Sequence, residues 1–314
     1  MGHTLPRSLH VIAELGIADA LGDAPQTAEE LAAAAEVHAG ALERMLRLLS
    51  AHGIFVACEG GYAHNAASRL LRSDHPQSMR PLVRLQGIPA MWQVYAQLDY
   101  SLRTGRSAVD KALPNGYWGY FADHAADRSI FDQAMKMKAE GQTAGILAAY
   151  DFSGFETIAD LGGGQGHLLA AILRSAPKAR GIVFDLPEAI ARAAPSDRLQ
   201  FQAGSFFEDA LPVCDVYLLA QVIHNWSDDE SLRILRAVRR SARPGAKLLL
   251  VEWLIPEDGK PHWTMLVDLI MLAQFTGRER TEREFGALLS AAGFRLDRVI
   301  GTGLSSFLLE ASAA

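Results

Sequence analysis

Cysteine is nearly absent from this chain of 314 residues. The two that occur, Cys58 and Cys214, lie far apart with no CxxC partner. That excludes a disulfide framework and a thiolate zinc cage and points to a reducing compartment. Long apolar runs are missing too: none approaches the roughly 18 residues that a membrane span needs. The opening MGHTLPRSLH has no apolar stretch of a secretory signal, so a cytoplasmic protein is expected. Positive charge is not in excess, since 30 Lys and Arg face 36 Asp and Glu for a net charge of -6. Nothing in that balance draws the chain to nucleic acid or to an anionic membrane. A neutral or cationic small ligand suits it better. With 49% hydrophobic and 21% charged residues the composition is globular, and the length exceeds what one core fills, so two domains are expected.

From about 155 onward, β-rich runs alternate with helical stretches, as in a mostly parallel sheet with helices on both faces. Seven runs read as strands: TIADL, GIVFDL, RLQFQAG, DVYLLAQVI, KLLLVEWLI, FRLDRVI and SSFLLEAS. The last two are joined by a few residues around Gly301 to Gly303, too few for a helical crossover, so they must pair antiparallel and the sheet is mixed. Residues 227 to 242 read as a helix, with Ser227 to cap it, acidic residues in its first turn and arginines in its last. Residues 1 to about 70 are alanine- and leucine-rich helices followed by a small hairpin turning at EGG, the layout of a winged helix. As a DNA-binding unit it has the wrong sign, because residues 27 to 70 hold three arginines against five glutamates. A helical packing or dimerisation unit fits better.

The stretch DLGGGQGHLLAAIL places four glycines, Gly162, Gly163, Gly164 and Gly166, at a strand-to-helix corner. Glycine there permits a tight turn and close approach of a ligand to backbone at the positive end of a helix. The dinucleotide pattern GxGxxG fails, because His167 stands where the third glycine belongs; the spacing is GxGxG. Asp185 ends the next strand, about twenty residues on, where a carboxylate suits ribose hydroxyls. His224 follows the run VYLLAQVI at the carboxyl end of a strand, where open α/β sheets place their ligands, a position the other nine histidines lack. Glu252 ends KLLLVEW at the same edge, and a buried strand gains nothing from an unpaired glutamate. Glu279, in GRERTEREF, has a neighbourhood dense in charge that also reads as a solvated helix start. Phe131 and Met135 are four apart on one helix face, a spacing equally suited to core packing.

Taken in order, DLGGGQGH, FDLP, GSFFEDALP, VIHNWSDDESLRILRAVRRSARPGAKLLLVEWLIPE and DLIMLAQFTGRERTEREFGALLSAAGF resemble the S-adenosylmethionine-dependent O-methyltransferases, the family of plant caffeic acid and bacterial hydroxyneurosporene-type enzymes. The likeness runs over nearly the whole chain. It implies an α/β, Rossmann-like seven-stranded methyltransferase sheet behind an all-helical, winged-helix-like dimerisation domain. The boundaries expected are 1–100 for the dimerisation domain, 101–150 for connecting helices that contribute to a substrate pocket, and 151–314 for the cofactor-binding catalytic domain. The resemblance sets Gly162 and Gly164 under the methionine part of S-adenosylmethionine, Asp185 on its ribose, and Ser205 and Phe206 at the adenine. Ser205 stands where the family usually has Asp, which weakens one expected contact.

The same resemblance makes His224 the general base, flanked by Glu252 and Glu279, with Phe131 and Met135 clamping an aromatic ring. Asn225 replaces the usual Asp after the histidine. The chemistry suits these residue types, since methyl transfer is an in-line displacement that needs alignment and removal of a proton from a hydroxyl of pKa about 10. The oxygens of VIHNWSDD are accounted for by helix capping, so transfer without a metal is expected. The partners implied are a hydroxylated aromatic or polyketide-like small molecule and a second copy of the chain, although the amino-terminal stretch is short for the family. A member of the fold that has drifted to decarboxylation, hydroxylation or cyclisation, or a ligand-responsive DNA-binding protein, are the alternatives.

Overall fold

The computed structural model describes residues 2–191, 193–303 and 306–314, and they divide into two compact units. The first comprises Met1–Ala96 and Ala112–Lys138; the second comprises Gln97–Lys111 and Ala139–Ala314. The stretch 101–150 is therefore shared between them. Among the described residues no helix is long and apolar enough to cross a membrane.

In the first unit the helix Ala39–Ala51 buries Leu42, Leu46 and Leu49, the three- and four-residue steps that place side chains on one face. They meet Ile12, Ile17, Leu21, Leu31 and Phe55 in one core. Thr27 starts the helix Ala28–Ala34 through a reciprocal capping box with Glu30, which satisfies two otherwise orphaned backbone donors. Strands β1 (Val56–Cys58) and β2 (Gly61–Ala63) form the expected hairpin, with Cys58 opposite Gly61. Gln26 bridges to Tyr62 at the hairpin's side. A Cβ on Gly61 would lie 2.1 Å from the Gln26 carbonyl oxygen, so that approach requires glycine.

The second unit holds β3 (Thr157–Leu161), β4 (Arg180–Asp185), β5 (Leu199–Ala203), β6 (Val216–Ala220), β7 (Lys247–Glu252), β8 (Phe294–Gly301) and β9 (Phe307–Ala313). Their order is β5-β4-β3-β6-β7-β9-β8. β3 to β7 run parallel, whereas β9 lies antiparallel between β7 and β8. All seven expected strands are present and the sheet is mixed; Ser305, the first residue of the last run, lies outside the described residues. Central strands buried on both faces explain the near-continuous apolar runs, as in β6, where Val216 to Leu219 are all buried. The chain leaves β3 for β4 on one side and resumes at β6 on the other, so a crevice opens at the carboxyl ends of β3 and β6.

Candidate active site

The glycine corner follows β3 at that crevice. Gly162, Gly164 and Gly166 have φ of +77°, +56° and +77°, a region costly to residues with a Cβ. A Cβ on Gly162 would meet Val222 Cγ2 at 2.8 Å and Phe206 Cζ at 3.4 Å, which places the Phe206 ring beside the corner. Gly164 is different: nothing lies within 4 Å of its Cβ position, so its exposed backbone is open to a ligand. Its N–H donates to Asp185 Oδ2 at 2.8 Å, and Leu186 N–H donates to Asp185 Oδ1 at 2.7 Å. Asp185 is thereby fixed at the end of β4, with lone pairs remaining on both oxygens. Ser205 turns to its own loop, its hydroxyl accepting from Phe207 N at 3.2 Å and its N–H donating to Asp209 Oδ2 at 2.8 Å.

Asp160, which sequence reasoning passed over, sits under this corner. Its carboxylate occupies the space of a Cβ on Gly163, with Oδ2 at 2.4 Å from that position. Asp160 is 1% exposed, and Oδ2 has no hydrogen-bond partner. Burial, and then the charge of Asp185, push its carboxyl up to about 7. The available signal was a carboxylate inside an apolar strand two residues ahead of the first glycine.

Across the crevice, β6 ends in a short 3-10 turn, Ile223–Asn225. His224 is buried at 3% exposure, and its Nδ1 lies 2.8 Å from Oε1 of Glu279, which is 0% exposed. With a carboxylate as acceptor, Nδ1 carries a proton, and Nε2 is the nitrogen left to face the crevice. The Trp253 ring meets the imidazole in a T-shaped contact, ring centroids 5.8 Å apart. Glu252, fully buried at the end of β7, accepts the Ile223 N–H at 2.9 Å through Oε1. Burial pushes its carboxyl up to about 7; the nearby His224 opposes that rise and Glu279 adds to it. Gln221, between strand and turn, has φ of +55°, a strained backbone of the kind found at functional sites.

Glu279 reaches His224 because of Gly277. A Cβ at that position would lie 2.0 Å from the His224 carbonyl oxygen and 2.5 Å from the Trp226 nitrogen. Backbone passes directly over backbone there. The run GRERTEREF is thus only partly a helix start: Thr281 caps the helix Glu282–Ala291, but Glu279 and Arg280 ahead of it are buried. The structure brings His224, Glu252 and Glu279 together at one strand edge, and Gly162, Gly164, Asp185 and Phe206 at another. Phe131 and Met135 belong to the first unit, on the helix Ala125–Ala149. There Phe131 packs against Phe121 and Trp118 at centroid distances of 5.1 and 5.8 Å. Among the described residues no group of three or more His, Cys, Asp and Glu is placed to hold a metal ion.

Comparison with known proteins matches residues 95–295 to the O-methyltransferase domain and residues 1–74 to the O-methyltransferase dimerisation domain. The chain belongs to the O-methyltransferase family. Over 99% of its length it is 38% identical to phenazine O-methyltransferase PhzM of Lysobacter antibioticus, covering 93% of that protein. It is 36% identical to the mitomycin biosynthesis 6-O-methyltransferase of Streptomyces lavendulae, over 95% of this chain and 87% of that one. Among solved structures, CalO1 of calicheamicin biosynthesis with S-adenosylhomocysteine superposes with a TM-score of 0.90 at 33% identity, covering 100% of this chain and 96% of that one.

This O-methyltransferase uses S-adenosylmethionine, and its own residues fit that molecule. The open backbone at Gly164 offers room, and Asp185, held by the Gly164 and Leu186 N–H groups, keeps lone pairs for the donors of a ligand. The amino-terminal helices and hairpin are its dimerisation domain, and the seven-stranded unit is its Rossmann-like catalytic domain.

Proposed function

We propose that this enzyme methylates a hydroxyl group on an aromatic, natural-product-like acceptor, with His224 as general base and Glu279 and Glu252 as its supports. The buried His224–Glu279 contact of 2.8 Å at the carboxyl edge of the sheet carries this proposal. S-adenosylmethionine, when bound, supplies an electrophilic methyl carbon. His224 takes the acceptor's proton on Nε2, and Glu279, already bonded to Nδ1, stabilises the imidazolium that results. Two carboxylates buried beside one another do not both ionise cheaply. Burial raises the Glu252 carboxyl to about 7, and Glu279 is the carboxylate in contact with the imidazole. Asp185 holds the ribose, Gly162 and Gly164 leave room for the methionine part, and Ser205 and Phe206 lie at the adenine. The resemblance alone supports Phe131 and Met135 as contacts of the acceptor ring. The match to the dimerisation domain supports a homodimer, which light scattering of the intact chain tests.

Relatives named for phenazine, mitomycin and puromycin compounds make fused-ring and phenolic acceptors the first to try. The test is incubation with methyl-labelled S-adenosylmethionine and hydroxyphenazines, hydroxynaphthoates, hydroxybenzoates and an arylamine. Label on a ring oxygen is expected. Label on nitrogen or carbon alone would overturn the proposal.

A further inference from the structure

Arg280 follows Glu279 directly and is 1% exposed. A buried guanidinium is costly unless its N–H groups are paired. Here they converge on the turn that carries His224. Nη2 donates to the Trp226 carbonyl at 3.0 Å and Nη1 to the Ile223 carbonyl at 3.3 Å. Nε and Nη2 both donate to Asp228 Oδ1, at 2.9 and 2.7 Å. Further contacts reach the Arg278 carbonyl at 3.3 Å and Ser231 Oγ at 3.4 Å. Ile223 opens the 3-10 turn and Trp226 closes it. Two consecutive residues therefore grip one turn, Glu279 by its imidazole and Arg280 by its backbone.

As a device for stability alone this is a poor one. The charge partner, Asp228, has a side chain 59% exposed, and an arginine held by a mostly hydrated carboxylate recovers little of its desolvation cost. The planar fork does something an apolar side chain of equal volume does not: it spans two carbonyls and a carboxylate at fixed angles. We propose that Arg280 is a positioning residue for His224, fixing the backbone of residues 223 to 226 so that Nδ1 meets Glu279 and the imidazole is held in one orientation. This rests on the assignment of His224 as the base.

Two variants test it in the full chain: Arg280→Lys, which keeps the charge but loses the fork, and Asp228→Asn, which leaves the guanidinium and removes its anion. The first readout is the downfield NMR signal of the His224 Nδ1 proton, identified by its loss in His224→Ala. In both variants its exchange with water should quicken by about tenfold or more. With a hydroxylated acceptor, kcat should fall by about tenfold while the cofactor Kd is unchanged, since a misplaced base costs rate rather than binding. In the His224→Ala background Arg280→Lys should cost nothing further. Unchanged exchange and kcat in both variants, or a fully additive loss with His224→Ala, would overturn the proposal. Should Arg280→Lys fail to fold, Asp228→Asn decides on the same readouts. Failure of the base assignment is a separate result: His224→Ala would retain methyl transfer.

Discussion

Nδ1 of His224 and Oε1 of Glu279 are 2.8 Å apart across 55 positions of sequence. Neither side chain is exposed by more than 4%, so water does not compete for the contact. The crevice thus presents an imidazole whose Nδ1 is committed to Glu279, leaving Nε2 as the nitrogen that faces an acceptor.

Replacing that imidazole separates chemistry from binding. His224→Ala should lower kcat by about a hundredfold or more while calorimetry finds the affinity for S-adenosylmethionine unchanged. Near-normal turnover would remove the histidine from the reaction.

Asp185→Ala should do the reverse. Its two oxygens hold the Gly164 and Leu186 N–H groups as well as the proposed ribose contact. Cofactor affinity should fall by about tenfold to a hundredfold, the scale of one lost charge-assisted hydrogen bond. An unaltered isotherm would contradict the ribose role.

Gly277→Ala tests the crossing of backbones. Its Cβ would lie 2.0 Å from the His224 carbonyl oxygen, which no side-chain rotation relieves. We expect a loss on the order of 3 kcal/mol in urea denaturation and a collapse of kcat. Gly141→Ala, a helical site with nothing within 4 Å of the new Cβ, should instead stabilise by roughly 1 kcal/mol.

The two raised carboxyls give a pH dependence of defined sign. Asp160 and Glu252 keep their protons in the folded state up to about 7, whereas the unfolded chain releases them near pH 4. The folded state binds more protons in that window, so their contribution falls as pH rises from about 4 to about 7. Carboxylates held low by partners, such as Glu310 beside Arg298 and Lys247, act oppositely at more acid pH. Asp160→Asn and Glu252→Gln should each flatten the decline between about pH 4 and pH 7, measured by denaturation at a series of pH values. Slopes identical to the parent's would refute the assignment.

Much of the architecture was legible because local patterns and tertiary demands agree. The strand runs were apolar enough to be buried on both faces, and Ser227 with Glu230 wrote the start of the helix Asp228–Ser241 into four residues. The glycine corner could be read because several glycines together have few other uses. What could not be read was contact at a distance. Nothing near Glu279 distinguishes it from the exposed Arg278 and Arg283; its burial depends on Gly277 fitting against a turn more than fifty residues earlier. Asp160 was concealed for the opposite reason, as one polar residue in a strand whose pattern was otherwise satisfied.

Strand β9 lies between β7 and β8, so synthesis and assembly cannot follow the same order. β7 bears Glu252 at its end, and until residues 307 to 313 have been translated it has a bare flank that β8, which pairs with β9 alone, cannot cover. A ribosome stalled before that point would leave a sticky sheet edge along the strand that carries Glu252.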